Sequence, residues 1–130
     1  MKKSILVIDD DEGIRKSFLL ALEDSDYSID TAASGEVGIK KRKMKSYDLI
    51  FLDLKMPGLN GVETLAKIRE IDKQVPIYIL TAFYKEYFQQ LKVVRNKGID
   101  FNIIQKPIGM DQILKATKGI LDGPVSDLES

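Results

Sequence analysis

Leu49-Ile50-Phe51-Leu52-Asp53-Leu54-Lys55-Met56-Pro57-Gly58-Leu59-Asn60-Gly61 is the stretch on which the reading of this chain turns. Leu49 to Leu52 are apolar in succession, without the alternation of a half-exposed strand. Such a run fits a strand covered on both faces, as in a parallel sheet flanked by helices. Asp53 closes the run. The turn Met56-Pro57-Gly58 follows, and Asn60 is placed to cap a helix carrying Val62, Leu65 and Ile68 on one face. Ligands of parallel α/β sheets bind just beyond the carboxyl ends of the strands. Asp53 therefore stands where a functional group would stand.

The same strand-then-helix unit recurs outward in both directions. Ile5-Leu6-Val7-Ile8 is an apolar run ending in Asp9-Asp10-Asp11, and residues 13 to 25 place Ile14, Phe18, Ala21 and Leu22 on one helical face. Tyr27 to Thr31 is a weaker strand, followed by a helix from the N-cap Ser34 to about Lys45. Val75-Pro76 leads into a strand from Ile77 to Leu80, then Thr81-Ala82. The next helical face holds Tyr84, Tyr87, Phe88, Leu91 and Val94. Phe101 to Gln105 is the last strand, ending at Lys106-Pro107. A final helix carries Met110, Ile113, Leu114, Thr117 and Leu121 as its stripe. Five such repeats with right-handed crossovers predict a doubly wound (βα)5, flavodoxin-like α/β domain. Its five-stranded parallel sheet has the order 2-1-3-4-5, with helices on both faces. The domain is expected over residues 1–122. Asp122-Gly123-Pro124 is a helix stop, and residues 123–130 read as a polar tail or the start of a linker.

Composition narrows the function. The chain has 130 residues, enough for one domain with a sizeable core. Lys plus Arg and Asp plus Glu are 20 each, which gives no electrostatic case for direct nucleic-acid or membrane binding. Cysteine is absent, and with it disulfides and thiol chemistry. Histidine is absent too, so imidazole serves neither as a base nor as a phosphoryl carrier. No apolar stretch approaches the ~20 residues of a membrane span, and no signal-peptide h-region follows Met1-Lys2-Lys3. A cytoplasmic location is expected.

In the expected strand order Asp9, Asp53, Thr81 and Lys106 meet at one sheet edge. Asp9, Asp10 and Asp53 crowd three carboxylates, whose repulsion a cation would offset. Mg²⁺ takes oxygen ligands and fits such a set. Asp53 could attack phosphorus, since aspartate is an established phosphoryl-accepting nucleophile. Lys106 would supply positive charge and Thr81 a hydroxyl donor. Each piece alone has an ordinary structural reading: a strand-end Asp is a turn residue or cap, Asp9-Asp10-Asp11 a run of caps, and Lys-Pro or Thr-Ala uninformative. Their convergence from four strand ends favours function.

These pieces resemble the receiver domain of two-component response regulators, over residues 4 to about 121. The similarity rests on Ile5 to Asp11, on Tyr47 to Gly61, on Leu80-Thr81-Ala82 and on Lys106-Pro107. The resemblance implies a phosphoacceptor that takes a phosphoryl group from a sensor histidine kinase or phosphotransfer protein onto Asp53, then changes conformation to regulate a partner or effector. It implies Mg²⁺ held by Asp10, Asp53 and the backbone carbonyl of Lys55, with Asp9 acting through metal-bound water. Thr81, Ala82, Lys106 and Pro107 would form the phosphoryl-binding and switch elements, with the Lys106–Pro107 bond cis. The surface of the fourth helix, fifth strand and fifth helix would meet an effector domain or partner. As a regulatory domain, the chain would catalyse only its own phosphorylation and dephosphorylation. Two departures stand out. Ile103 occupies the position where the family usually carries a Tyr or Phe that changes rotamer, and the segment from Thr81 to Lys106 is longer than usual. Remodelling of the fourth helix and of the loop before Phe101 is the expected substitute.

Two other functions compete. A Mg²⁺-dependent phosphatase of the haloacid dehalogenase type needs a second aspartate two residues after its nucleophile. Lys55 stands there, and 130 residues leave little room for a cap domain. An interaction module that is never phosphorylated would typically lack a pocket residue, and this chain retains all five. Elsewhere, Lys40-Lys41-Arg42-Lys43 with Lys45 reads as a solvated face, or otherwise a contact for a kinase or acidic partner. Gly38 within that helix costs about 1 kcal/mol relative to Ala and predicts a soft helix. Phe83, Tyr84, Tyr87 and Phe88 cannot all point inward from one helix.

Overall fold

The computed structural model describes residues 2–123; the part of the expected polar tail from residue 124 onward lies outside them. The elements follow in the order β1 (Ser4–Ile8), α1 (Glu12–Leu22), β2 (Ser28–Ala32), α2 (Gly35–Met44), β3 (Leu49–Asp53), α3 (Gly61–Ile71), β4 (Ile77–Thr81), α4 (Tyr84–Asn96), β5 (Asn102–Gln105) and α5 (Met110–Leu121). All strand pairs are parallel, in the order β2-β1-β3-β4-β5. The expected architecture is present. Its register aligns Ile8 with Leu52, Asp53 with Leu80 and Thr81 with Gln105, so the three functional ends finish near one edge.

Strand alternation divides the core into two layers. Leu6, Ile8, Ile50, Leu52, Ile77 and Ile79 face α2, α3 and α4, where Leu65, Ile68, Leu91 and Val94 pack on them. Ile5, Val7, Leu49, Phe51 and Leu80 face the other way, against Phe18 and Leu22 of α1 and Ile113 of α5. Phe18 and Phe51 meet at 4.9 Å between ring centres. β3 is buried along its whole length, as its unbroken apolar run requires. The edge strand β5 is not: Asn102 and Gln105 are exposed, and Ile103 and Ile104 are half-buried.

Several expected boundaries move, each for a local reason. The Asp11 carboxylate accepts from the Gly13 and Ile14 amides, so α1 starts at Glu12; it ends at Leu22 rather than 25. β2 runs one residue later than expected, and Tyr27, before it, donates its hydroxyl to Asp122 at 2.6 Å. Phe101 is buried but precedes β5, beneath the Arg95 guanidinium at 4.0 Å. Met110 was expected on the α5 stripe and is exposed, because it opens the helix before the stripe meets the core at Ile113 and Thr117. The basic run is not wholly solvated: Lys41 donates to the Thr31 carbonyl, and Arg42 pairs with Asp72 at 3.0 Å. Gly38 has a packing reason, because a Cβ there would strike the Ile8 side chain. Its absence lets α2 lie close on β1.

Candidate functional site

Beyond the strand ends lies a cavity of about 600 Å³ lined by Asp9, Asp10, Asp11, Asp53, Lys55, Met56, Pro57, Phe83, Tyr87 and Lys106. Carboxylate oxygens of Asp9, Asp10 and Asp53 lie within 4.8 Å of one another. Asp9 and Asp53 are buried and Asp10 is exposed. Lys106 Nζ donates to Asp9 Oδ2 at 3.0 Å and to Asp53 Oδ1 at 3.2 Å. One ammonium thus joins the ends of three strands. An all-oxygen set of three crowded carboxylates facing one cation leaves surplus negative charge, and this donor set suits a hard divalent ion.

Electrostatics mark Asp53 in particular. Burial raises its carboxyl, the Asp9 charge raises it further, and Lys106 only partly opposes them, so that it stands at about 7. Burial lowers the Lys106 ammonium, but its bonds and charge interactions with Asp9 and Asp53 outweigh that and hold it above the ordinary lysine value. A strained pair of buried acids around one lysine is the arrangement expected where a cation or anion is exchanged.

Local sequence explains each placement. Asp9 follows β1, and its Oδ1 accepts the Asp11 amide at 2.9 Å, turning the chain into α1. The Asp9 carbonyl accepts from Arg15 at 2.9 Å, which fixes the loop from the helix side. After Asp53 the chain returns on itself: Gly61 donates to the Leu54 carbonyl at 2.7 Å, and a side chain at 61 would overlap the Asp53 backbone. Gly58, at φ +73°, supplies the left-handed turn between them. Asn60 and Glu63 form a reciprocal capping box. The Lys106 amide donates to the Thr81 carbonyl at 2.9 Å, and the following bond to Pro107 is cis.

Not every expected residue lines the cavity. Thr81 is fully buried at the end of β4, and its hydroxyl oxygen accepts the Phe83 amide at 2.7 Å, which leaves the hydroxyl proton available for donation. Ala82 and Pro107 are exposed and lie off the cavity wall. Ile103 is half-buried on the other side of α4, beside Tyr84, Phe88, Leu91 and Phe101 around a separate cleft of about 230 Å³. Sequence reasoning missed Phe83 and Tyr87 as cavity walls, though their four-residue spacing puts both on one side of a helix start. Lys55 Nζ lies 4.4 Å from the Phe83 ring centre and 3.8 Å from Glu86, bridging the β3 and β4 sides of the mouth.

A family model described as the response regulator receiver domain matches residues 5–118. The chain belongs to the response regulator receiver family. Among its relatives is the transcriptional regulatory protein AfsQ1 of Streptomyces coelicolor, 36% identical over 94% of this chain and 49% of that protein. The alkaline phosphatase synthesis transcriptional regulatory protein PhoP of Bacillus subtilis is 36% identical over 93% of this chain and 49% of its own length. The chain thus spans about half the length of these curated relatives. Among solved structures, response regulator TrrA of Thermotoga maritima, in complex with Mg²⁺ and beryllofluoride, superposes with a TM-score of 0.74 at 35% identity, over 92% of this chain and 99% of that one. Chemotaxis protein CheY4 of Vibrio cholerae gives a TM-score of 0.79 at 29% identity, over 93% and 100%. The receiver is a regulatory domain of two-component signalling. Among the described residues no helix is long and apolar enough to cross a membrane.

Proposed function

We propose that this receiver, expected over residues 1–122, accepts a phosphoryl group on Asp53. The observation that carries the reading is the buried Asp53 carboxylate, in one cavity with Asp9, Asp10 and Asp11 and bonded to Lys106. The donor would be a phosphohistidine of a sensor kinase or phosphotransfer protein, or a small acyl phosphate. A carboxylate oxygen of Asp53 attacks phosphorus; the bond from phosphorus to the donor nitrogen breaks, and the departing imidazole takes up a proton. Lys106 then exchanges a carboxylate contact for a phosphoryl oxygen. Positioning and charge neutralisation do most of the work in such a transfer.

Mg²⁺ would be held by Asp10, Asp53 and the Lys55 carbonyl, with Asp9 acting through water, and would supply charge neutralisation at the phosphoryl oxygens. Thr81, Ala82 and Pro107 belong to this reading as elements that hold or follow the phosphoryl group. Partners would be a kinase at the cavity mouth and an effector or protein on the surface of α4, β5 and α5, with no direct nucleic-acid or membrane contact by this domain. A cytoplasmic location suits this exchange. Residues from 123 onward would serve as a tail or linker.

Incubation with acetyl phosphate and Mg²⁺, followed by intact-mass measurement, tests the reading. Wild-type protein should gain one phosphoryl group, and Asp53→Asn none. Undiminished labelling of Asp53→Asn would remove Asp53 from this role, and continuous release of phosphate without accumulation would favour a phosphatase.

A further inference from the structure

The acidic cavity has one wall whose polar group has no evident duty. Tyr87 packs its ring against the core layer beneath α2, α3 and α4, yet also lines the cavity of Asp9, Asp10, Asp53 and Lys106. Tyrosine commonly spans such a boundary, its body apolar and its hydroxyl polar. The Tyr27 and Tyr47 hydroxyls donate to Asp122 and Asp30. Among the described residues the Tyr87 hydroxyl has no such acceptor. Burial raises its phenol, as do the charges of Glu86, Asp53 and Glu63, so it remains a proton donor at neutral pH.

Two independent features make the helix that carries it the element able to respond. Asp11, Ser34 and Asn60 give α1, α2 and α3 side-chain caps, whereas Phe83, at the corresponding position before α4, gives none. Phe83, just before it, accepts from the Glu86 and Tyr87 amides and is itself tied by its amide to the Thr81 hydroxyl oxygen. On the far side of α4, Ile103 offers no ring to move into the cleft it shares with Tyr84, Phe88 and Phe101.

We propose that Tyr87 is the residue through which α4 reads the cavity: its hydroxyl donates to an anionic oxygen of the group on Asp53 and draws the first turns of α4 toward the end of β3. The proposal rests on the reading of Asp53 as phosphoacceptor. An occupant shifts a conformational equilibrium only through contacts that differ between the two states. Without the occupant the hydroxyl has no protein acceptor; with it, a charged oxygen stands in the same cavity. A hydrogen bond to a charged acceptor is of the stronger kind. It would act on a helix whose start is the least fastened of those preceding it.

Beryllofluoride with Mg²⁺ is the probe, and Tyr87→Phe removes the hydroxyl while keeping the ring. Wild type should bind the probe and change amide exchange over residues 84–96. Tyr87→Phe should still take up a phosphoryl group on Asp53 from acetyl phosphate, bind the probe about tenfold more weakly, the cost of one charge-assisted bond, and lose the exchange response over 84–96. Tyr84→Phe, on the cleft side, should match wild type. Unchanged affinity in Tyr87→Phe overturns the donor role, and an unchanged exchange response overturns the coupling. A wild-type protein that gains no phosphoryl group overturns the assignment of Asp53, and this proposal falls with it.

Discussion

The starts of α3 and α4 follow the ends of the neighbouring strands β3 and β4 and are built in opposite ways. α3 follows Asp53 and is locked: Asn60 and Glu63 cap each other's amides, and Gly61 brings the helix backbone against the strand. α4 follows Thr81 and has no side-chain cap. Its neighbours at the mouth are the half-exposed Phe83 and an ion pair between Lys55 and Glu86, both about half exposed. Contacts of that exposed kind contribute little to stability. The difference teaches where rigidity is placed. The side that carries the Asp53 carboxylate is fastened by side-chain caps and close backbone contact, and the side that begins after Thr81 is fastened by neither.

The strongest way to break the contrast is to unlock α3. A methyl group at position 61 would meet Leu54 Cα at 2.6 Å and the Asp53 carbonyl closer still. Backbone cannot yield as a side chain can, so Gly61→Ala should cost about 4 kcal/mol, above the usual range for overpacking. Thermal unfolding in the absence of metal measures it. A melting temperature near that of wild type would show that α3 is not pinned there.

The next largest effect concerns charge on the rigid side. The carboxyl of Asp53 is raised to about 7 in the folded protein from an ordinary value near 3.8. A raised acid stabilises the fold most when protonated, below its ordinary value, and loses that contribution as pH rises through about 7. Metal-free protein should therefore lose on the order of 3 kcal/mol between pH 4 and pH 8. Asp53→Asn should flatten this slope. Denaturant titrations at several pH values read it directly; a slope that survives the substitution would place the titration elsewhere.

The smallest effect sharpens the contrast at the caps. Asn60→Ala should lose about 1 kcal/mol, the typical worth of a side-chain N-cap. Phe83→Ala should change stability by less than about 0.5 kcal/mol, because no cap is lost and the contact with Lys55 is exposed. Equal losses at the two positions would erase the distinction between the helix starts.

What could be read from the residues alone follows the same division. β1 and β3 were legible because their runs are apolar on both faces, and the acids at their ends fall where a parallel sheet presents them. The meeting of Asp9, Asp53 and Lys106 follows once the strand order is set. The region after Thr81 was harder. Phe83, Tyr84, Tyr87 and Phe88 give a helical pattern with two plausible inner faces, and only packing decides that Phe83 and Tyr87 turn to the cavity while Tyr84 and Phe88 meet edge to face at 5.6 Å beside the cleft. Arg69 was also missed. It is buried on α3 and donates to the Asp100 carbonyl at 2.9 and 3.0 Å, tying α3 to the approach of β5. Its four-residue spacing from Leu65 placed it on the buried stripe, but nothing local announced a distant carbonyl as its partner.

The clamp at the end of α5 carries its own lesson. Asp122 receives the Tyr27 hydroxyl at 2.6 Å and pairs with Lys3 at 3.5 Å, beside the starts of β1 and β2. Those starts form the pole of the sheet opposite the acids. α5 has 12 residues, a rod of about 18 Å. Gly123, the last described residue, therefore lies at the far pole, the length of that rod away from the start of α5. Tyr87 of α4 adjoins the acids directly, whereas Gly123 stands a helix-length away behind the contacts of Asp122.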